Sequence, residues 1–233
     1  MAWHTELLIG FDLETTGTDP TEARIVTGAA VESRAGRLLG RREWLADPGV
    51  PIPPEATAVH GISDGPAAQV ADSIADVLVA AWQGGIPVVA YNASFDLTLL
   101  AAELRRHGLP SLPERLGGTD PAPVIDPYTI DRTVDRYRRG KRTLQAVCTE
   151  YGVVLEDAHD AVADALAAAR LAGAIAGRHP KIADLGAAEL HRRQIAWSAR
   201  RAADFQAHLR RQGDPAAVVD GQWPLRALPD PVG

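Results

Sequence analysis

The chain has 233 residues, 46% hydrophobic and 23% charged, the usage of an ordinary folded domain, so length leads us to expect one large domain with a tail or a small helical addition. No stretch approaches the roughly 18 uninterrupted apolar residues of a membrane span. The opening Met1-Ala2-Trp3-His4-Thr5-Glu6 lacks a signal-peptide pattern, and a lone cysteine, Cys148, excludes a disulfide framework or a multi-cysteine zinc site and suits a reducing cytoplasm. The net charge of −6 hides two basic stretches. Residues 132–142 hold six Lys or Arg against Asp135, and residues 178–212 hold eight against three acids. A polyanion responds to such local patches, so the acidic average excludes no nucleic-acid function.

In chain order, residues 6–12 read as a buried strand ended by Gly17 and Asp19-Pro20. Residues 24–32 and 37–45 are strand candidates joined as a hairpin across Ser33-Arg34-Ala35-Gly36. A proline-rich loop leads to Val59-His60-Gly61-Ile62. Residues 70–82 place Val70, Ile74, Val77, Leu78 and Ala81 on one helical stripe. Residues 87–91 form a short strand and 94–107 a helix, stopped by Gly108 and Pro110. Residues 124–130 read as another strand, and 143–151 as a helix ending at Gly152. An alanine-rich helix follows over 160–176, then an arginine-rich one over 187–212. The end, 213–233, reads as irregular, with Trp223 as an anchor. A strand meander followed by alternating helices and strands implies an α/β fold with a mixed sheet.

Three groups of residues carry chemistry. In Phe11-Asp12-Leu13-Glu14-Thr15-Thr16-Gly17, strand alternation turns Asp12 and Glu14 to one face, close enough to share a hard cation. Two solvated acids at a strand end is the plainer alternative. In Tyr91-Asn92-Ala93-Ser94-Phe95-Asp96 a strand runs into a helix, with Asp96 in its first turn and Asn92 or Ser94 as the cap. An acid there also simply complements the helix dipole. In His159-Asp160-Ala161-Val162-Ala163-Asp164, regular helix would leave His159 and Asp164 about 140° apart. His159 is therefore expected in the lead-in, Asp160 at the cap and Asp164 within the helix, with the alanine face holding Asp164 against the sheet.

That ordered set resembles the DEDD exonuclease superfamily. The histidine ahead of the last aspartate marks the DEDDh type, and the sequence is similar to its proofreading, epsilon-like branch. The resemblance spans about residues 7–176, including Val59-His60-Gly61-Ile62, and does not cover the chain beyond about 178. It implies a ribonuclease H-like fold, a five-stranded mixed sheet flanked by helices. The division is then an exonuclease domain over 1–177 and a basic helical C-terminal extension over 178–233 with an irregular, proline-rich end.

The resemblance also implies removal of nucleotides from a 3′ end, single-stranded DNA preferred, releasing nucleoside 5′-monophosphates with two divalent ions, Mg²⁺ or Mn²⁺. Asp12, Glu14, Asp96 and Asp164 become the metal ligands and His159 the general base. Oxygen ligands suit those ions, two metals clamp the attacking and leaving oxygens of a phosphodiester, and an imidazole accepts a proton at neutral pH. Leu13, Thr15 and Thr16 fall where relatives contact the terminal nucleotide. His60, Asn92 and Phe95 are further substrate-side candidates, although a turn histidine held by backbone and a core phenylalanine are the plainer readings. Arg136 to Arg142 and the arginines of the last helix are candidate phosphate contacts, with a solvated charged surface as the alternative. Trp197 and Phe205 are expected to pack on the domain or on a second subunit.

The expected setting is proofreading, repair or degradation of DNA, with a DNA polymerase as a candidate partner. The absence of an obvious clamp-binding peptide favours a free-standing enzyme. An exoribonuclease of the RNase T or oligoribonuclease type, a non-catalytic nucleic-acid-binding module and a ribonuclease H-type endonuclease are the alternatives.

Overall fold

The computed structural model describes residues 2–47, 65–156 and 158–229. The Val59-His60-Gly61-Ile62 motif, and His60 with it, lies outside them.

Strand β1 (Leu7–Thr15) is apolar enough to lie between two layers, and β2 (Ile25–Arg34) and β3 (Arg37–Asp47) follow it as an antiparallel meander. Ala35 and Gly36 both take positive φ, 49° and 76°, the backbone that matches the twist of a tight hairpin. Two-residue strands β5 (Val88–Val89) and β6 (Val124–Ile125) then add in parallel beside β1. These five strands are the expected mixed sheet. Gly65–Pro66 extends it as an edge strand β4 beside β3, giving the order β4-β3-β2-β1-β5-β6.

Alternation along β1 divides the core. Ile9, Phe11 and Leu13 face helices α1 (Ala67–Gln83) and α2 (Ala93–Arg106), packing with Ile74, Leu78, Leu97 and Leu100. Leu8 faces the other layer and packs with Leu171 and Ile175 of α6 (Ala161–Arg178). Between them in sequence come α3 (Leu112–Arg115), α4 (Pro127–Val134) and α5 (Leu144–Tyr151), and after them α7 (Pro180–Ala183) and α8 (Ala187–Arg211).

The strand expected over 124–130 stops at Ile125. Asp126 caps a helix by accepting from the Tyr128 N–H at 3.0 Å, and Pro127 at the first helical position has no N–H for a ladder. The local Asp-Pro chemistry overrides the apolar look of the segment.

The segment beyond 178 folds onto the sheet. Leu190, His191, Gln194, Ser198 and Ala202 form the buried stripe of α8. The carboxamide of Gln194 donates to the Val124 carbonyl at 3.0 Å and accepts from the Asp126 N–H at 2.7 Å. His191 Nδ1 accepts from the Val124 N–H at 3.1 Å. These three bonds satisfy the outer edge of β6. Trp223 is the anchor expected, buried in the core with its indole N–H 3.3 Å from Asp126 Oδ2. Trp197 packs against the second core layer, but Phe205 is 52% exposed, and the packing expected for it on this domain is not made.

Candidate active site

The carboxylates converge because three elements converge. On β1, Asp12 and Glu14 follow Gly10 on the face turned toward α6, as alternation predicts. Gly10 sets the distance. A Cβ built there would lie 2.3 Å from the Ala165 carbonyl oxygen and 2.7 Å from Val31, so only glycine lets α6 approach this closely. The residue before Ala165 is Asp164. The backbone contact at Gly10 therefore delivers Asp164 to the carboxylates one and two steps further along that strand face. Sequence reading missed Gly10 as a positioning residue, and a glycine inside an apolar strand was the available signal.

The lead-in to α6 matches the expected arrangement. Asp160 caps the helix, its Oδ1 accepting from the Ala163 N–H at 2.9 Å, and Asp164 lies in the first turn. His159 sits just outside at φ 75°, left-handed backbone that a residue with a Cβ adopts at a cost and that clusters at functional sites. That bend brings the imidazole back over the helix start. Glu14, His159 and Asp164 each offer one ligand atom, and these atoms lie within 4.8 Å of one another.

The third element is α2. Asn92, at φ 66°, turns the chain into the helix, and its N–H donates to Asp126 Oδ1 at 2.9 Å. Asp96 is 4% exposed, and its Oδ1 accepts the Leu13 N–H at 3.2 Å. That bond ties α2 to β1 between Asp12 and Glu14.

The electrostatics are those of acids held together without a counter-charge. Burial, followed by the Asp96, Asp164 and Glu14 charges, holds Asp12 well above the usual carboxylate range. Burial is also the main cause of the raised values of Glu14, Asp96 and Asp164. Asp164 raises Glu14 further, while His159 works in the opposite direction on both. Asp164 Oδ1 is buried with no hydrogen-bond partner among the described residues. Such a set is costly in isolation and is relieved by a cation. All-oxygen donors beside one imidazole fit a hard divalent ion.

The remaining candidates occupy the surroundings. The Leu13 side chain is buried with α1 and α2. The Thr15 hydroxyl donates to the Gly17 carbonyl at 2.8 Å, and the Thr16 hydroxyl accepts from the Arg24 N–H at 3.0 Å. Both hydroxyls thus hold the turn that follows the site. Phe95 is half-buried against the core, in keeping with its plainer reading. In the basic stretch, Arg138 and Arg142 both bond the buried Asp131, with Arg138 at 2.7 Å. They anchor α4 internally, so the phosphate-contact reading fails for these two.

Among the described residues no helix is long and apolar enough to cross a membrane. A family profile described as exonuclease, RNase_T, matches residues 9–172. The PolC-type DNA polymerase III of Streptococcus thermophilus is 30% identical over 168 residues, covering 69% of this chain and 10% of that protein. The PolC-type polymerase of Listeria welshimeri is 31% identical over 164 residues, 70% of this chain and 11% of that protein. The chain thus spans about a tenth of the length of these polymerases. Among solved structures, exonuclease I superposes with a TM-score of 0.61 at 20% identity, over 77% of this chain and 42% of that one. Escherichia coli exonuclease I in complex with a dA16 oligonucleotide gives 0.60 at 18% identity over the same shares. These structural likenesses concern the fold. With the profile running from β1 into α6, through every element that brings a carboxylate to the cluster, the chain belongs to the exonuclease family.

Proposed function

We propose that the protein is a metal-dependent 3′→5′ exonuclease that hydrolyses phosphodiester bonds at the 3′ end of single-stranded DNA and releases nucleoside 5′-monophosphates. The observation that carries this reading is the meeting of four carboxylates from β1, α2 and α6 beside His159, with one ligand atom each of Glu14, His159 and Asp164 within 4.8 Å and Asp164 Oδ1 buried and without a hydrogen-bond partner among the described residues. Asp12, Glu14 and Asp164 would hold one Mg²⁺ or Mn²⁺, with Asp12 and Asp96 serving a second. Bound there, the cations would neutralise charge on the phosphate and acidify the attacking water.

His159 has the general-base role. It lies at the exposed mouth of the cluster, where a ring nitrogen can take the proton of water as the water oxygen bonds phosphorus. The phosphorus–O3′ bond then breaks, and the departing 3′ oxygen takes up a proton to leave a shortened strand with a 3′ hydroxyl. With Phe95 packed on the core, Thr15, Thr16 and Asn92, which flank the ligands in sequence, would line the approach of the terminal nucleotide. The PolC-type relatives support a setting in bacterial DNA proofreading, repair or degradation, and hence in the cytoplasm.

Matched 3′- and 5′-labelled DNA and RNA single strands, with Mg²⁺, Mn²⁺ or EDTA, test this. Stepwise, metal-dependent shortening from the 3′ end of DNA is expected, with circular single strands left uncut. His159→Ala should lose orders of magnitude in rate while calorimetric metal binding persists. Preferential shortening of RNA would replace the substrate assignment, and cutting of circles would replace the exonuclease mode.

A further inference from the structure

The C-terminal helix α8 builds a groove with α4, and α8 lies beyond the residues matched by the family profile. The groove floor is Tyr128, with the guanidinium of Arg132 5.4 Å and that of Arg201 5.0 Å from its ring centre. Arg136 and Arg200 line it further out with Phe205. Of these four arginines only Arg136 has an acidic partner among the described residues, Asp204 at 3.1 Å. Arg201 Nη1 is buried there without a hydrogen-bond partner among the described residues. Phe205 stands 52% exposed on the same wall. Arg132 Nη1 donates to the Tyr128 hydroxyl at 3.4 Å and Asp220 lines the groove beside it. Yet Arg132, Arg200 and Arg201 form no ion pair among the described residues, which leaves an excess of cationic donors beside the exposed Phe205 ring.

The location gives this chemistry a direction. Parallel strands β1, β5 and β6 end on one edge of the sheet, where open α/β sheets bind ligands. Glu14 is the last residue but one of β1, Asn92 follows β5, and Tyr128 follows β6. The rings of Tyr91 and Tyr128 meet at 5.6 Å, and the Asn92 N–H is fixed to Asp126. Tyr128 thus lies two strands across the sheet from β1, at the same carboxyl-terminal edge as the carboxylates. Phosphates set along guanidinium groups, with bases stacked on aromatic rings, is how single strands are held without regard to sequence.

We infer that the α4–α8 groove binds the single-stranded DNA upstream of the nucleotide being removed, with Arg132, Arg200 and Arg201 on phosphates and Phe205 stacking a base. The identity of the polyanion rests on the proposed nuclease activity, but its binding is measurable without catalysis. A run of acidic side chains alone offers no ring for Phe205 to stack, which makes it the weaker fit.

The test uses the full chain in EDTA, a 5′-fluorescein-labelled oligothymidylate read by fluorescence anisotropy, and two double variants. Arg132→Gln/Arg201→Gln removes the floor cations, and Arg200→Gln/Phe205→Ala alters only the exposed wall, so it cannot fail for want of folding. Each should weaken binding about tenfold and flatten the salt dependence by about one phosphate contact per arginine removed. Metal-dependent hydrolysis of the p-nitrophenyl ester of thymidine 5′-monophosphate, which is too short to reach the groove, should be unchanged. Unchanged oligothymidylate affinity in the exposed-wall variant overturns the proposal, as does equal competition by polyaspartate. If the ester is never hydrolysed yet both variants bind weakly, the nuclease reading falls and the groove stands.

Discussion

Helix α2 carries two buried carboxylates seven residues apart on nearly one face, and their surroundings are opposite. Glu103, 1% exposed, is ringed by Arg24 at 2.6 Å, Arg106 at 3.0 Å and His107 at 3.2 Å. Asp96, 4% exposed, receives the Leu13 N–H and otherwise faces other acids. Where a buried charge serves only the fold, cations are folded in around it. Under the proposed function Asp96 serves the reaction, and its counter-charge is then left to come from outside. The difference sets a compensated acid apart from an uncompensated one without reference to any relative.

Three measurements would break or sharpen that contrast. The largest effect expected is on activity. Asp164→Asn should lower the rate roughly a thousandfold, the scale of a lost metal ligand, with unfolding in EDTA unchanged or shifted upward as a repelling charge goes. A loss of stability as large as the loss of activity would place Asp164 with Glu103. Next, Glu103→Ala should cost about 3 kcal/mol in urea unfolding, because it strands cations at a buried position, while calorimetric Mg²⁺ binding stays at the parent level. A fall in metal affinity there would join the two ends of α2 into one network.

The third and smallest effect is a pH slope. Folded-state values of Asp12, Glu14, Asp96 and Asp164 are raised. The folded protein therefore holds these protons more tightly than the unfolded chain. That contribution is fully present below the ordinary carboxylate range and is lost as pH rises through the raised values. In EDTA the melting temperature should accordingly decline across that window, relative to Asp12→Asn. Mg²⁺ at a hundred times its dissociation constant should add about 2.7 kcal/mol at neutral pH. A flat profile would mean that the acids are already compensated.

Much of this arrangement was legible in the sequence because it is local. Alternation fixed the shared face of Asp12 and Glu14, and helix geometry alone demanded that His159 stand outside the helix that holds Asp164. The misread parts depend on burial. Arg138 and Arg142 looked like an exposed cationic run until Asp131, on the preceding helix, proved to be 0% exposed and to need them. The strand expected past Ile125 failed because one capping side chain and one proline outweighed an apolar pattern. The role of Gln194 was not legible, since nothing in its neighbours in sequence shows that a strand edge lies beneath it.

That glutamine sets the width of the sheet. A side-chain carboxamide has the donor and acceptor of a peptide group without the chain on either side. Gln194 presents both to Val124 and Asp126, flanking Ile125 as a residue of a further parallel strand would. A sheet with an open border invites a strand from another molecule. Here the β6 border is closed by this imitation peptide unit together with the His191 ring, both carried on one helix, so α8 acts as a stop against strand addition at that border while its outer face stays available for other work.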